Sequence, residues 1–150
     1  MSHPLLTLRD ALVAKLIAMN KSAEARYVEY KSKREVKDGK YLVAIASESD
    51  KQFRNVDQRD YFIDVAYQRS LPEATKEKPD PLENNAFLDA CVIEVATVKA
   101  LFQEGGELRG NALADCVAIE ILDGPLYLPN HLTEHNIFTS SFRVRFRLEG

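Results

Sequence analysis

The chain has 150 residues, of which 45% are hydrophobic and 29% charged, with a formal net charge of -3. That length suits one domain, residues 1–150, built on one ordinary core, and the near-balanced charge excludes both a chain-wide polyanion-binding surface and an acidic solvating tail. Met1 to Asp10 lacks the basic start and apolar run of a secretory signal, and no segment approaches the roughly 20 apolar residues that cross a bilayer, so a soluble intracellular product with no membrane partner is expected.

Leu5, Leu8, Leu12 and Leu16 recur at helical spacing, and Thr7 with Asp10 three residues on offers an N-terminal cap, which predicts a first helix running to about Met19. After the polar break Asn20-Lys21-Ser22, the stretch Arg26 to Val36 mixes Tyr27, Val28 and Tyr30 with charge and predicts an exposed strand. Asp38-Gly39 favours the positive backbone angles of a tight turn, and Lys40 to Ala46 (KYLVAIA) reads as the returning strand of a partly basic hairpin. Ser47 to Arg59 has few apolar residues and no period, and reads as an irregular connection. In the strand that follows, Tyr61, Ile63, Val65 and Tyr67 form an apolar face, while Phe62, Asp64, Ala66 and Gln68 form a mixed face with no evident place in a core. Arg69 to Glu83 carries Pro72, Pro79 and Pro81 among charges, which predicts a mobile loop.

A second helix is predicted from about Asn84 to Glu104, with an apolar stripe that includes Phe87, Cys91, Val95, Val98 and Phe102, ended by Gly105-Gly106. Asp115 to Leu122 reads as a strand with Val117, Ile119 and Ile121 inward, followed by an Asp123-Gly124-Pro125 turn. His131 to Asn136 reads as a short polar segment. The last strand is the most regular: Phe138, Ser140, Phe142, Val144, Phe146 and Leu148 share one face, and Thr139, Ser141, Arg143, Arg145 and Arg147 the other. The sum is an α+β fold, a single two-layer domain whose mostly antiparallel sheet of about five strands carries two main helices on one face.

Few patterns point to chemistry. His131-Leu132-Thr133-Glu134-His135 matches the H-x-x-E-H of one class of zinc peptidases, but a polar turn with surface histidines explains it better, because Pro129-Asn130 and the strand two residues on leave little room for a helix. Gly105 to Gly110 has the glycine spacing of a phosphate loop without the Lys and Ser/Thr that must follow, and it leaves a helix where a phosphate loop opens one. Cys91 and Cys116 lie far apart in apolar segments and read as reduced, buried small hydrophobes. Asn20-Lys21-Ser22 is a glycosylation sequon without an export route. No cofactor, no metal and no enzymatic activity are expected.

Two charge features remain. The strand period places Arg143, Arg145 and Arg147 on one sheet face, where they pair across strands with Asp64 or Glu120 or keep a solvated face wet, meet acidic residues of a neighbouring subunit, or contact DNA directly. Lys31, Lys33, Arg34, Lys37 and Lys40 decorate the predicted hairpin, either as edge protection or as a surface that docks another ring or DNA phosphates.

The segment YFIDVAYQRSLPE (Tyr61 to Glu73), the Pro-rich charged loop, the helix around FLDACVIEV (Phe87 to Val95) and the closing IFTSSFRVRFRLEG (Ile137 to Gly150) together resemble tail-completion proteins of long-tailed bacteriophages, also called tail terminators or head-tail joining proteins. The resemblance implies an α+β subunit of a ring, commonly a hexamer, that sits on the last ring of the tail tube, ends tube polymerisation and joins the tail to the head-neck connector. Its implied partners are other copies of itself, the tube protein, the connector or neck proteins, and DNA that passes the lumen without sequence-specific contact. It implies a virion protein assembled in the host cytoplasm. A head-side neck adaptor or stopper ring and a small nucleic-acid-binding module are the alternatives.

Overall fold

In a computed structural model the chain is described at residues 3–27, 36–53, 56–72, 85–109, 113–124 and 127–148. Helix α1 (Pro4–Ala18) opens with Pro4, whose fixed φ and missing N–H suit a first helical position. Its cap is the His3 ring, whose Nδ1 accepts from the Leu5 N–H at 3.1 Å. The predicted cap, Thr7, already lies inside the helix and donates its hydroxyl to the His3 carbonyl at 3.2 Å. Leu5, Leu8, Leu12 and Leu16 are buried, as the spacing predicts.

The remaining elements are β1 (Ala23–Arg26), β2 (Lys40–Phe53), β3 (Val56–Ser70), α2 (Asn85–Lys99), a 3-10 turn (Ala100–Phe102), β4 (Cys116–Asp123), α3 (Pro129–His135) and β5 (Ile137–Leu148). The strands form one mixed sheet in the order β1-β2-β3-β5-β4, antiparallel except for the β1 and β2 pair. That pair corrects the expected basic hairpin. Ala23 to Arg26 runs parallel to Tyr41 to Ala44, so a crossover and not a tight turn joins the two strands. Asp38-Gly39 instead turns the chain into β2: the Gly39 N–H donates to the Val36 carbonyl at 3.1 Å, and Gly39 takes φ +84. Of the strand expected at Arg26 to Val36, residues 28–35 lie outside the described residues; of the three that are described, Arg26 is in a strand and Tyr27 and Val36 are not.

The connection expected at Ser47 to Arg59 is a second correction. β2 runs on to Phe53 and β3 begins at Val56, and the two pair from Lys40↔Gln68 to Phe53↔Val56. Backbone hydrogen bonds alone define this ribbon, so the absence of an apolar period there does not mark it as a loop. A third correction concerns β4. A bulge between Ala118 and Glu120 inserts Ile119 and reverses the alternation, so Cys116 and Ala118 enter the core before the bulge and Ile121 packs against it after. Val117 and Ile119 are thereby only partly buried. Fourth, the segment at His131 to Asn136 is helical: α3 starts on Pro129 and is closed by Asn136 in the left-handed region at φ 53.

Both long helices lie on one face of the sheet. Leu8, Leu12 and Leu16 of α1 and Cys91, Val95 and Val98 of α2 join one buried cluster with Tyr41, Val43, Ile63, Val65, Phe142 and Phe146. Phe102 meets Phe146 edge-on with centroids 6.2 Å apart. The opposite face is also closed in part, because Leu42 and Ala66, which are paired neighbours, are fully buried with Gln68 and Thr139. The mixed face of β3 therefore does have a place in the interior. Asp64 is buried as well, and its charge is met by arginine.

Candidate functional site

The arginine ladder of β5 is the densest polar arrangement among the described residues, and strand register builds it. Arg143 stands opposite Asp64 and Arg147 opposite Asp60 on β3, while Arg145 has Phe62 on one side and Glu120 of β4 on the other. Arg143 grips Asp64 with two bonds, Nε to Oδ1 at 2.6 Å and Nη2 to Oδ2 at 3.1 Å. Arg147 reaches Asp60 through Nε at 3.0 Å. Arg145 donates through Nε to Asp60 at 2.7 Å, adds a second bond from Nη2, and reaches Glu120 at 3.2 Å. Its guanidinium also lies 5.9 Å from the centre of the Phe62 ring.

Asp60 is the centre of this network and has no exposed surface. Burial by itself would raise its pKa; the hydrogen bonds from Arg147 and Arg145 outweigh that and hold the carboxyl below the usual range. Arg145 is raised in turn, first by its hydrogen bond to Asp60. Three guanidiniums thus face three carboxylates of their own chain, and the pairing with Asp64 and Glu120 is the in-chain reading of the ladder. Sequence reasoning missed Asp60, because it sits at the edge of the segment read as irregular. The strand period would have found it, since Asp60, Phe62 and Asp64 share a face.

No known protein family has a profile that matches this chain, and no curated protein matches it. The chemistry must therefore be read from the chain's own groups.

Of the basic residues assigned to the hairpin, Lys31, Lys33 and Arg34 lie outside the described residues, Lys37 is exposed in the turn, and Lys40 is half-buried at the start of β2. In the H-x-x-E-H segment, His131 Nδ1 lies 2.7 Å from the Thr139 hydroxyl, which also accepts from Gln68 Nε2 at 3.1 Å, so His131 belongs to a hydrogen-bonded chain at the end of β5. Among the described residues no group of three His, Cys, Asp or Glu side chains converges. Gly105, at φ +86, ends the helical segment, with the Leu108 N–H donating to the Leu101 carbonyl at 2.8 Å. Gly110 to Ala112 lie outside the described residues.

Both cysteines are free and buried, and burial pushes each thiol up to about 11. At neutral pH they stay protonated and are poor nucleophiles. A second network ties the helical layer to the sheet. The half-buried Glu94 accepts from Lys21 at 2.7 Å and from the Tyr41 hydroxyl at 3.1 Å, and burial followed by the Glu94 charge drives the Tyr41 pKa far upward. Each of its groups is engaged in holding elements together.

One feature extends beyond the packed sheet. β5 supports β3 only from Asp60 to Ser70, and β1 supports β2 only from Tyr41 to Ala44. Among the described residues, Ser47 to Phe53 and Val56 to Arg59 therefore continue as a two-stranded ribbon with no third strand beside it, starting at a bulge between Ile45 and Ser47. At the rise of an extended strand this arm reaches on the order of 20 Å past the sheet.

Proposed function

We propose that this chain is the subunit of a ring that completes the tail of a long-tailed bacteriophage, capping the tail tube, ending its polymerisation and joining the tail to the neck. The projecting β2 and β3 ribbon carries this reading. Among the described residues the ribbon has no third strand, and a two-stranded ribbon alone is at best marginally stable in water, so an arm of this length is suited to lie on another molecule. An arm on one side that meets a different surface on the next copy is a heterologous contact, and such contacts close into rings when the rotation permits. The two-layer α+β fold and the sequence pattern from Tyr61 to Gly150 agree with the same reading. In it the arginine face is a prefolded, charge-balanced wall, and no cofactor or bond-making step is required. DNA passes the ring without base contacts.

Sedimentation or native mass measurement tests it directly. The full chain is expected to form rings of several copies, or to form them on the ends of tube-protein polymer and stop its growth. Replacing residues 50–59 by Asn-Gly joins Ser49 to Asp60, which already pair, and is expected to leave a folded protein that no longer makes rings. A chain that stays monomeric at every concentration and leaves tube growth unaffected, or an arm-less variant that still assembles, sinks the proposal.

A further inference from the structure

A groove of about 510 Å³ opens between the first half of α2 and α3. That lies within the range of about 300–1,000 Å³ over which proteins enclose a bound group. Buried Phe138 and Leu132 form its floor, half-buried Leu88 and Val92 one wall, and exposed Tyr127 and Asp89 its rim. Glu134 adds a second exposed carboxylate beside the groove on α3, and neither it nor Asp89 pairs with a basic group among the described residues. Apolar walls under an uncompensated carboxylate suit an apolar group that carries a cation next to it.

The chain's own arm carries such a group. Between Ser47 and Arg59 the apolar residues are Phe53 and Val56, and these two are register partners at the arm's end, the pair farthest from the sheet. Lys51 and Arg54 against Asp57 leave the segment around them with a net charge of +1, in a chain whose total is -3. A copy cannot reach its own groove. Phe138 of the floor pairs with Arg69, and β3 is extended over the thirteen residues from Val56 to Arg69, so the groove lies about 43 Å from the arm's end. The arm leaves one end of the sheet and the groove opens at the other.

We infer that the groove between α2 and α3 receives the end of the β2 and β3 arm of a second copy, with Phe53 and Val56 entering the apolar space and the basic residues beside them meeting Asp89. This rests on the ring reading and deepens it, since it names the surface that the arm meets. Arm and groove are unlike surfaces at opposite ends of one molecule, so each copy gives one arm and receives one. Such a contact repeats head to tail and closes into a ring when the rotation permits. An aromatic anchor seated in an apolar pocket carries a large share of binding energy, which is the part assigned to Phe53.

Paired cysteines in the full chain, joined by a short bis-maleimide, read the contact directly. Gln52→Cys with Thr133→Cys places one thiol beside Phe53 and one on the groove, and is expected to give a ladder of crosslinked multimers, because each copy bonds to two neighbours. Gln52→Cys with Ile17→Cys, exposed on α1, is expected to give no ladder; the native Cys91 and Cys116 are buried. Asp89→Lys alters an exposed residue, and is expected to leave unfolding of the monomer unchanged while weakening assembly at least about tenfold. Rings that form without the ladder and keep their mass in Asp89→Lys would overturn the groove contact and leave the ring reading standing. Open head-to-tail chains that give the ladder but never close would support the groove contact and sink the ring reading. A chain that stays monomeric at every concentration and on tube ends, with both cysteine pairs crosslinking equally, overturns the two together.

Discussion

Asp60 and Asp64 carry the same charge on the same strand face, yet their partners differ in exposure. Asp60 is fully enclosed and shared by Arg145 and Arg147, while Asp64 is bonded to Arg143, whose side chain is 44% exposed. Removing the Asp60 charge leaves two guanidiniums without their main partner, whereas removing Arg143 breaks a pair that water can replace on one side. Asp60→Asn is therefore expected to cost about 2–3 kcal/mol in chemical denaturation, and Arg143→Ala about 1 kcal/mol or less. Because the native pKa of Asp60 lies below its unfolded value, the stability it contributes is complete above the ordinary carboxylate range and is lost as pH falls through the lowered native value. Stability measured from neutral pH downward is expected to fall less steeply in Asp60→Asn than in the wild type. Equal costs for the two variants would show that enclosure of Asp60 adds nothing.

Gly39 presents a different constraint at the same scale. Its φ of +84 belongs to the left-handed region, and an added Cβ would stand 2.5 Å from the Tyr67 hydroxyl oxygen. Gly39→Ala combines backbone strain with a clash against a buried ring. A loss of about 1–2 kcal/mol or more is expected in thermal or denaturant unfolding.

At the scale of elements, β2 is one strand with two environments. From Tyr41 to Ala44 it has neighbours on both sides and its side chains are buried; from Ser47 onward its one paired strand among the described residues is β3. Amide exchange in dilute protein is expected to be at least tenfold faster at Lys51 and Phe53 than at Leu42 and Val43, and to slow at the arm when the protein assembles. Uniform protection along β2 in the monomer would show that the ribbon needs no partner. The bulges act at this scale too. Inserting Ala46 and Ile119 turns each strand by one side-chain position, which separates the arm from the core in β2 and exposes Glu120 to Arg145 in β4.

For the whole molecule, the arm implies a heterologous contact between copies. The two-layer fold places the two long helices on one side of the sheet and the arm beyond its end, with the arginine wall on the face away from those helices.

Several parts of this protein were legible from its order of residues alone. Leu5, Leu8, Leu12 and Leu16 mark a helix face, Phe138 to Phe146 mark a strand face, and the ladder of Arg143, Arg145 and Arg147 follows from a period of two, because burial of one side writes its periodicity into the chain. Cys91 and Cys116 were legible as buried thiols for the same reason. What only the tertiary structure decided is what has no local period. The parallel partner of β2, the arm at Ser47 to Arg59, the phase change at Ile119 and the role of Asp60 all depend on which strands lie side by side, and backbone pairing between distant segments is indifferent to side-chain type.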